Sequence, residues 1–210
     1  MKLTVFGATG GVGQEIVRQA LTAGHQVTAV VRDPARLTVT GTHLDVFRAD
    51  LADPEALRPA VTGRDAVLSG LGARSRKHAG DATRLTRTVL DAIEAEGVRR
   101  LLAISAAPIG PVPEGDATLD RVARGIVSRI YKDVYADLRA MEAGIAGSAT
   151  DWTVVRPPKL LNRPVSGMYR VAVGGTPPKA RSLGRADVAH AMLAMVGDAT
   201  TVKQGVGLAY

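Results

Sequence analysis

Cysteine is absent from the 210 residues. That excludes thiol nucleophiles and Cys-ligated metal sites, and leaves no disulfide for the fold to rely on. Aromatic side chains are nearly missing too: one Trp, four Tyr and two Phe, or 3% of the chain. The core therefore has to be built from Ala, Val, Leu and Ile. No run of 18 uninterrupted apolar residues occurs, so no segment reads as a membrane span. The start lacks a basic region followed by a long apolar run, so no secretory signal is read and the cytoplasm is the expected location.

Basic charge, by contrast, is in excess. Lys and Arg number 27 against 20 acidic residues, a net charge of +7, and most of the basic residues are arginine. The arginines are scattered, and the densest groups, Arg74-Ser75-Arg76-Lys77 and Arg99-Arg100, are short. Nucleic-acid binding needs clustering on one face or a recognised motif. The distribution instead predicts a solvated basic surface whose field suits an anionic small molecule, with no nucleic-acid or membrane partner.

The densest information lies between Lys2 and Gly24, KLTVFGATGGVGQEIVRQALTAG. Leu3 to Phe6 reads as a buried parallel strand. Gly7, Gly10 and Gly13 follow at intervals of three, then Ile16, Val17, Ala20 and Leu21 fall on one helical face, with Gly24 at the C-terminal cap. A strand, a glycine turn and a helix leave free N–H groups at the helix start, where donors and dipole attract phosphate. Gly7 serves the tight turn, Gly10 the approach of a pyrophosphate, and Gly13 the close packing of helix on strand. The spacing is G-x-x-G-x-x-G, a departure from G-x-G-x-x-G, but strand and helix flank it as dinucleotide binding requires.

Gln26 to Val31 is a second strand, followed by Arg32-Asp33-Pro34 and Arg36. An acidic residue here would bond a ribose 2′-hydroxyl, but Asp33 before Pro34 reads as a helix cap. Arg32 and Arg36 offer guanidinium forks to a 2′-phosphate, favouring NADP over NAD. A third strand over 44–48 leads to Asp50-Leu51, where Asp50 is an adenine contact or a turn residue. Asp53-Pro54-Glu55 repeats the cap signature and starts a short helix ending at Gly63. Residues 66–71 form an apolar fourth strand closed by Gly70-Leu71-Gly72.

Residues 74–80 read as a basic loop in which His78 is solvated. Asp81 or Thr83 caps a helix with Leu85, Val89, Leu90 and Ile93 inward, ending at Gly97. A fifth strand, 100–105, carries Ser105 at its carboxyl end. The Pro- and Gly-rich segment 106–118 is a loop and candidate lid. Residues 119–145 are helical with a break near Arg129, and 152–155 form a sixth strand stopped by Arg156-Pro157-Pro158. Residues 167–173 are a short strand or ribbon. A last helix, 185–196, turns Ala189, Met192, Leu193 and Val196 to one side, and 205–208 adds an edge strand.

Strands alternating with helices predict an α/β, Rossmann-type doubly wound, mostly parallel sheet. The expected organisation is a single domain over 1–210, its substrate-side elements mainly 106–130 and 157–184.

The stretches GATGGVG, VVRDPARL, SGLGARS and DWTVVRPPKLLNRPVSGMYRVAVGG, with Asp-Leu after the third strand, resemble the atypical short-chain dehydrogenases. Within these the chain is similar to the NAD(P)H-binding flavin reductase and biliverdin-IXβ reductase group, near the NmrA-like redox sensors. The resemblance covers nearly the whole chain. It implies that Thr9, Gly10 and Val12, with Gly7, Gly11 and Gly13 of the same turn, hold the pyrophosphate. Arg32 and Arg36 would meet the 2′-phosphate, and Asp50 and Leu51 the adenine. Leu71, Gly72 and Arg74 would line the ribose and nicotinamide path, with Ser105 and Pro158-Lys159-Leu160 beside the nicotinamide. Two positions depart from flavin-reducing relatives: Ala106 replaces a hydroxyl after the fifth strand, and Lys159 replaces a His after the double proline.

Typical members of the wider class pair Tyr with Lys in Tyr-x-x-x-Lys, so that the tyrosine exchanges a proton with substrate. Here Tyr135 is followed by Arg139 in that place, and a guanidinium does not relay a proton. The catalytic candidates are Ser105, Lys159 and Tyr135, the last read equally as an interfacial core residue. Hydride transfer to a flavin needs orientation more than a protein acid. The resulting expectation is an NADPH-dependent reductase of a flat conjugated acceptor such as a flavin, quinone or related small molecule, monomeric or a weak homodimer. A non-catalytic NAD(P)-binding redox sensor and a sugar-nucleotide-type epimerase are the alternatives.

Overall fold

The computed structural model describes residues 1–72, 80–111 and 129–210. The chain runs β1 (Lys2–Phe6), α1 (Gly11–Thr22), β2 (Gln26–Val31), β3 (Leu44–Arg48), α2 (Pro54–Val61), β4 (Ala66–Ser69) and α3 (Asp81–Ala95). It continues through β5 (Arg100–Ile104), α4 (Lys132–Ala146), β6 (Asp151–Arg156), β7 (Lys159–Leu161), β8 (Arg170–Val173), β9 (Ser182–Gly184), α5 (Arg185–Ala194) and β10 (Gln204–Ala209). Eight strands form one sheet in the order β3-β2-β1-β4-β5-β6-β10-β8, parallel throughout except for β8 against β10. A separate parallel pair joins β7 to β9. This is the doubly wound, Rossmann-type architecture that the alternation of elements predicts.

Why the strands read as apolar runs follows from the layering. Leu3 and Val5 face a layer with Ile16, Val17 and Met192, whereas Phe6 packs on the other side with Leu57, Val67, Ile93 and Leu101. Both faces are covered, so the alternation of a half-exposed strand is lost. Thr4 survives inside because its hydroxyl donates to the Ala60 carbonyl at 2.6 Å. Each fully buried Leu or Ile contributes about 1.5–3 kcal/mol, which is how a core so poor in aromatics suffices.

Local signals set several boundaries. α1 ends as expected at Gly24: the Gly24 N–H donates to Leu21 and the His25 N–H to Ala20, satisfying the last carbonyls. Asp53 caps α2 through the Glu55 N–H at 3.0 Å. At the other end of the sheet, Arg100 closes α5 from outside, donating to the Val196 carbonyl at 2.9 Å and to the Asp151 carbonyl at 2.7 Å. That arginine is used up internally.

Five expectations need correction. Neither Asp81 nor Thr83 caps α3; the cap position is Gly80, and the free N–H groups are taken by Asp137 of α4. Asp137 is 7% exposed and accepts from the N–H groups of Ala82 (3.1 Å) and Thr83 (2.9 Å) and from the Thr83 hydroxyl (2.6 Å). Secondly, β10 is no edge strand, because it lies between β6 and β8, and β8 is the edge. The strand predicted over 66–71 stops at Ser69, and Ser105 falls just beyond β5. Finally, α5 closes at Ala194, with Leu193 only half-buried. The candidate lid over 106–118 and the predicted helical stretch before 129 lie largely outside the described residues, as do Arg74 and His78.

Burial would raise the Asp137 pKa, but hydrogen bonds from Thr83, Gly80 and Ala82 outweigh it and hold the carboxyl below its ordinary value. Such a group stabilises the fold above the unfolded value, about pH 4, and that contribution vanishes as pH falls through the lower folded value. Asp137→Ala is expected to cost about 2–3 kcal/mol in urea unfolding at neutral pH. The deficit relative to the parent protein should shrink as the pH is taken below about 4. A deficit that stays constant down to about pH 2 would contradict this account of the cap.

Candidate functional site

The winding of the chain reverses between β1 and β4: β2 and β3 are added on one side, β4 to β6 on the other. Ligands of open parallel sheets lie outside the strand ends at that switch point. The glycine turn occupies it. Gly7 follows β1 with φ +68°, and a Cβ there would stand 2.7 Å from the carbonyl carbon of Gly70, which follows β4. A Cβ on Gly13 would lie 2.1 Å from the Gly7 carbonyl oxygen, so α1 is seated directly on the turn. The Gly10 N–H closes the turn onto that same carbonyl at 2.9 Å.

α1 begins without a side-chain cap and with no acidic residue in its first turn. Its first N–H groups and its dipole are therefore free to meet an anion. The side chain of Val12 is buried in the core, while Gly10 and Gly11 are exposed. A cradle that any side chain would fill, over an open helix start, fits the diphosphate of a dinucleotide.

Arg32, Asp50 and Leu71 lie beyond the ends of β2, β3 and β4, strands of the same sheet. Arg32 and Arg36 are exposed, and their guanidinium groups have no hydrogen-bond or ion-pair partner among the described residues. Arg32 leaves the end of β2, which pairs directly with β1. Asp33 is committed to its cap, accepting from the Ala35 N–H at 3.1 Å. Asp50 accepts from the Ala52 N–H at 3.1 Å, the turn bond that the sequence allowed. Leu51 and Leu71 meet in one buried cluster with Phe6 and Val30.

At the far side of the crevice, the Ser105 N–H donates to Val155 at 2.7 Å, and the Ala107 N–H donates to Pro157 at 2.9 Å. These bonds stitch the exits of β5 and β6 together, placing Ser105 close to the Pro158-Lys159-Leu160 segment. The Ser105 hydroxyl is buried with no hydrogen-bond partner. An orphan donor at a strand end is a cost unless a ligand meets it. Lys159 is exposed at the start of β7.

Tyr135 is drawn in a different direction. It is half-buried against the apolar layer under α3 and α4, its ring 6.1 Å from that of Tyr131. Burial, with Tyr131 beside it, raises its pKa, so the hydroxyl is a weaker acid than an ordinary tyrosine. The packing is that of an interfacial core residue.

Two features were not foreseen. Arg156, at the end of β6, forms a two-pronged ion pair with Glu142 of α4, at 3.1 and 2.6 Å. Arg185, at the start of α5, lies across Gly11, its Cδ and Nε at 2.6 and 2.8 Å from where a Cβ would be. Its guanidinium donates to Asn162 Oδ1 at 2.6 Å. Sequence position alone ties neither arginine to its partner.

Fold and glycine turn together define a Rossmann-type protein with a turn suited to a dinucleotide. Residues 7–199 match the NAD(P)H-binding family, and the chain belongs to it. A (4-alkanoyl-5-oxo-2,5-dihydrofuran-3-yl)methyl phosphate reductase of Streptomyces griseus is 31% identical over 83% of this chain and 56% of its own length. The photosystem II assembly factor Ycf39 of Cyanophora paradoxa is 40% identical over 38% of this chain and 25% of its own length. The chain thus spans little more than half of one relative and a quarter of the other. In structure it resembles the anaerobillin reductase ChuY of Escherichia coli O157:H7, with a TM-score of 0.80 at 20% identity over 100% of this chain and 97% of that one. No helix among the described residues is long and apolar enough to cross a membrane.

Proposed function

We propose that this protein is an NADPH-dependent reductase delivering hydride to a flat conjugated acceptor, a flavin, quinone or related small molecule. The observation that carries the reading is the uncapped start of α1 at the switch point of the sheet, within a chain of the NAD(P)H-binding family. Reductase-named relatives support the oxidoreductase assignment. When bound, the reduced nicotinamide supplies the hydride. The chain's part is to grip, orient and leave room: α1 holds the diphosphate, the Ser105 hydroxyl is available to the carboxamide or the acceptor, and Lys159 presents a positive charge to an anionic acceptor. Tyr135, a weakened acid packed into an apolar layer, is not assigned the proton. Water protonates the product, which suits an acceptor that takes hydride without prior protonation.

The direct test is to mix protein and NADPH with FMN, riboflavin or a water-soluble quinone and follow the near-ultraviolet absorbance of NADPH. Turnover with at least one is expected, and none with any of them would overturn the reading. A non-catalytic redox sensor is the second reading, favoured by the likeness to an assembly factor. It predicts cofactor binding without turnover.

Cofactor choice rests on Arg32 and Arg36, whose guanidinium groups are not engaged elsewhere among the described residues. Arg32→Ala is expected to weaken NADPH by about 1.5–3 kcal/mol and leave NADH nearly unchanged, as for one lost bond to a charged group. Calorimetric titration with both cofactors checks this. Equal losses would remove Arg32 from the 2′-phosphate.

A further inference from the structure

We infer that Arg185 is the counter-charge of the cofactor diphosphate, a binding residue supplied to the glycine turn from the opposite end of the chain. The inference rests on the NAD(P)H-binding reading and adds a residue to that site. The turn itself, GATGGVG, contains no cation, and α1 has no basic residue in its first turn. A diphosphate in this place carries two negative charges, which N–H groups and a helix dipole solvate but do not neutralise. The missing charge is already present. The Arg185 side chain lies over Gly11 with its Cζ 3.8 Å from the ideal Cβ position.

What holds it there is specific. Asn162 Oδ1 accepts from the guanidinium at 2.6 Å, and the Leu160 carbonyl lies at 3.5 Å. The segment that carries Asn162 is fastened in turn to α5. Buried Asp187 accepts from the N–H groups of Ser166 (2.8 Å) and Gly167 (2.9 Å), from the Ser166 hydroxyl (2.9 Å) and from the Tyr210 hydroxyl (2.6 Å). Arg185 has no carboxylate partner among the described residues, so its charge is oriented without being neutralised. Gly11, Gln14, Asn162 and Arg163 line an open cleft of about 410 Å³ beside it, whose one carboxylate, Glu15, is paired with Arg18. A guanidinium held by neutral acceptors beside an open helix start is ready for a phosphate fork.

Gly11 thereby acquires a reason that the sequence could not show. Any side chain there would push Arg185 aside, because the contact is with the flexible arm of that arginine. Gly11→Ala should therefore act on the cofactor through Arg185.

The test is calorimetric or fluorescence titration of the full chain with NADH and NADPH. Arg185→Gln keeps a polar side chain over Gly11 but removes the charge and the Nη1 donor to Asn162. It is expected to weaken both cofactors by the same factor, about 10- to 100-fold, and to make binding less sensitive to salt. Arg185→Lys should recover part of the loss. Gly11→Ala combined with Arg185→Gln should be no worse than the poorer single variant. Asn162→Ala, which removes only the tether, should lose less than Arg185→Gln. Unchanged affinity or salt dependence in Arg185→Gln, or an equal loss in Asn162→Ala, would overturn the inference and leave Arg185 a fastening for the 162–168 segment. Failure of the parent protein to bind either cofactor would overturn the NAD(P)H reading itself.

Discussion

Gly13→Ala is expected to cost about 3 kcal/mol of stability and to abolish NADPH binding. The added carbon would lie 2.1 Å from the Gly7 carbonyl oxygen and 2.8 Å from its carbon, well inside contact distance. Both atoms are backbone, so relief requires either α1 to lift from the sheet or the turn to open. The carbonyl cannot move freely, since it accepts the Gly10 N–H that closes the turn. Whichever gives way, the N–H groups at the start of α1 lose their aim. Helix propensity alone predicts the reverse, a gain of up to about 1 kcal/mol for Gly→Ala inside a helix. Gly144→Ala in α4, where nothing lies within 4 Å, should show that gain and serve as the control. Urea midpoints and NADPH titration of the two variants give the comparison. Equal stability of Gly13→Ala and the parent would refute the close seating of α1.

Glu142→Ala should be at least as damaging to the fold, at about 3–5 kcal/mol. Arg156 is 17% exposed and Glu142 11%, and each neutralises the other through two hydrogen bonds. The arginine runs between two glycines: a Cβ on Gly205 would be 2.3 Å from its Nη1, and one on Gly110 would be 3.1 Å from its Cδ. Removing the glutamate leaves a largely buried charge without its partner. The double variant Glu142→Leu with Arg156→Met should recover most of the loss, because the penalty is for an orphaned charge. Urea unfolding of the single and double variants decides it. A double variant no better than Glu142→Ala would show the arginine serving some other purpose. The pair also ties α4 to the strand end that leads into Pro157 and Pro158, so the single variant should loosen the side of the crevice where Ser105 and Lys159 stand.

The parts of this fold legible in the sequence are those whose causes are local. β2 and β3 begin and end at the residues read from the apolar runs, and Asp33 and Asp53 cap the turns of which they are part. The glycine turn is legible because strand, spacing and helix are contiguous. Contributions from a distance are not. The cap of α3 comes from Asp137, more than fifty residues on, and the pattern near Asp81 and Thr83 gives no reason to look there. Arg185 and Gly11 stand at opposite ends of the chain. Residues 205–208, GVGL, read as an edge strand, with two glycines and a weak strand signature. Those glycines are there because Arg156 and the backbone around Thr176 press against them. The three-residue strands β7 and β9 are too short to leave a periodic trace.

The position of β10 also orders the birth of the molecule. β8 leaves the ribosome before β10, yet β10 stands between it and β6, so β8 has no neighbour in the main sheet until the later strand has slotted in. During that interval Val171 and Val173 lack the strand with which they pair. Strands β2 through β6 each pair with one already made, although the face of β1 that Met192 covers waits for α5.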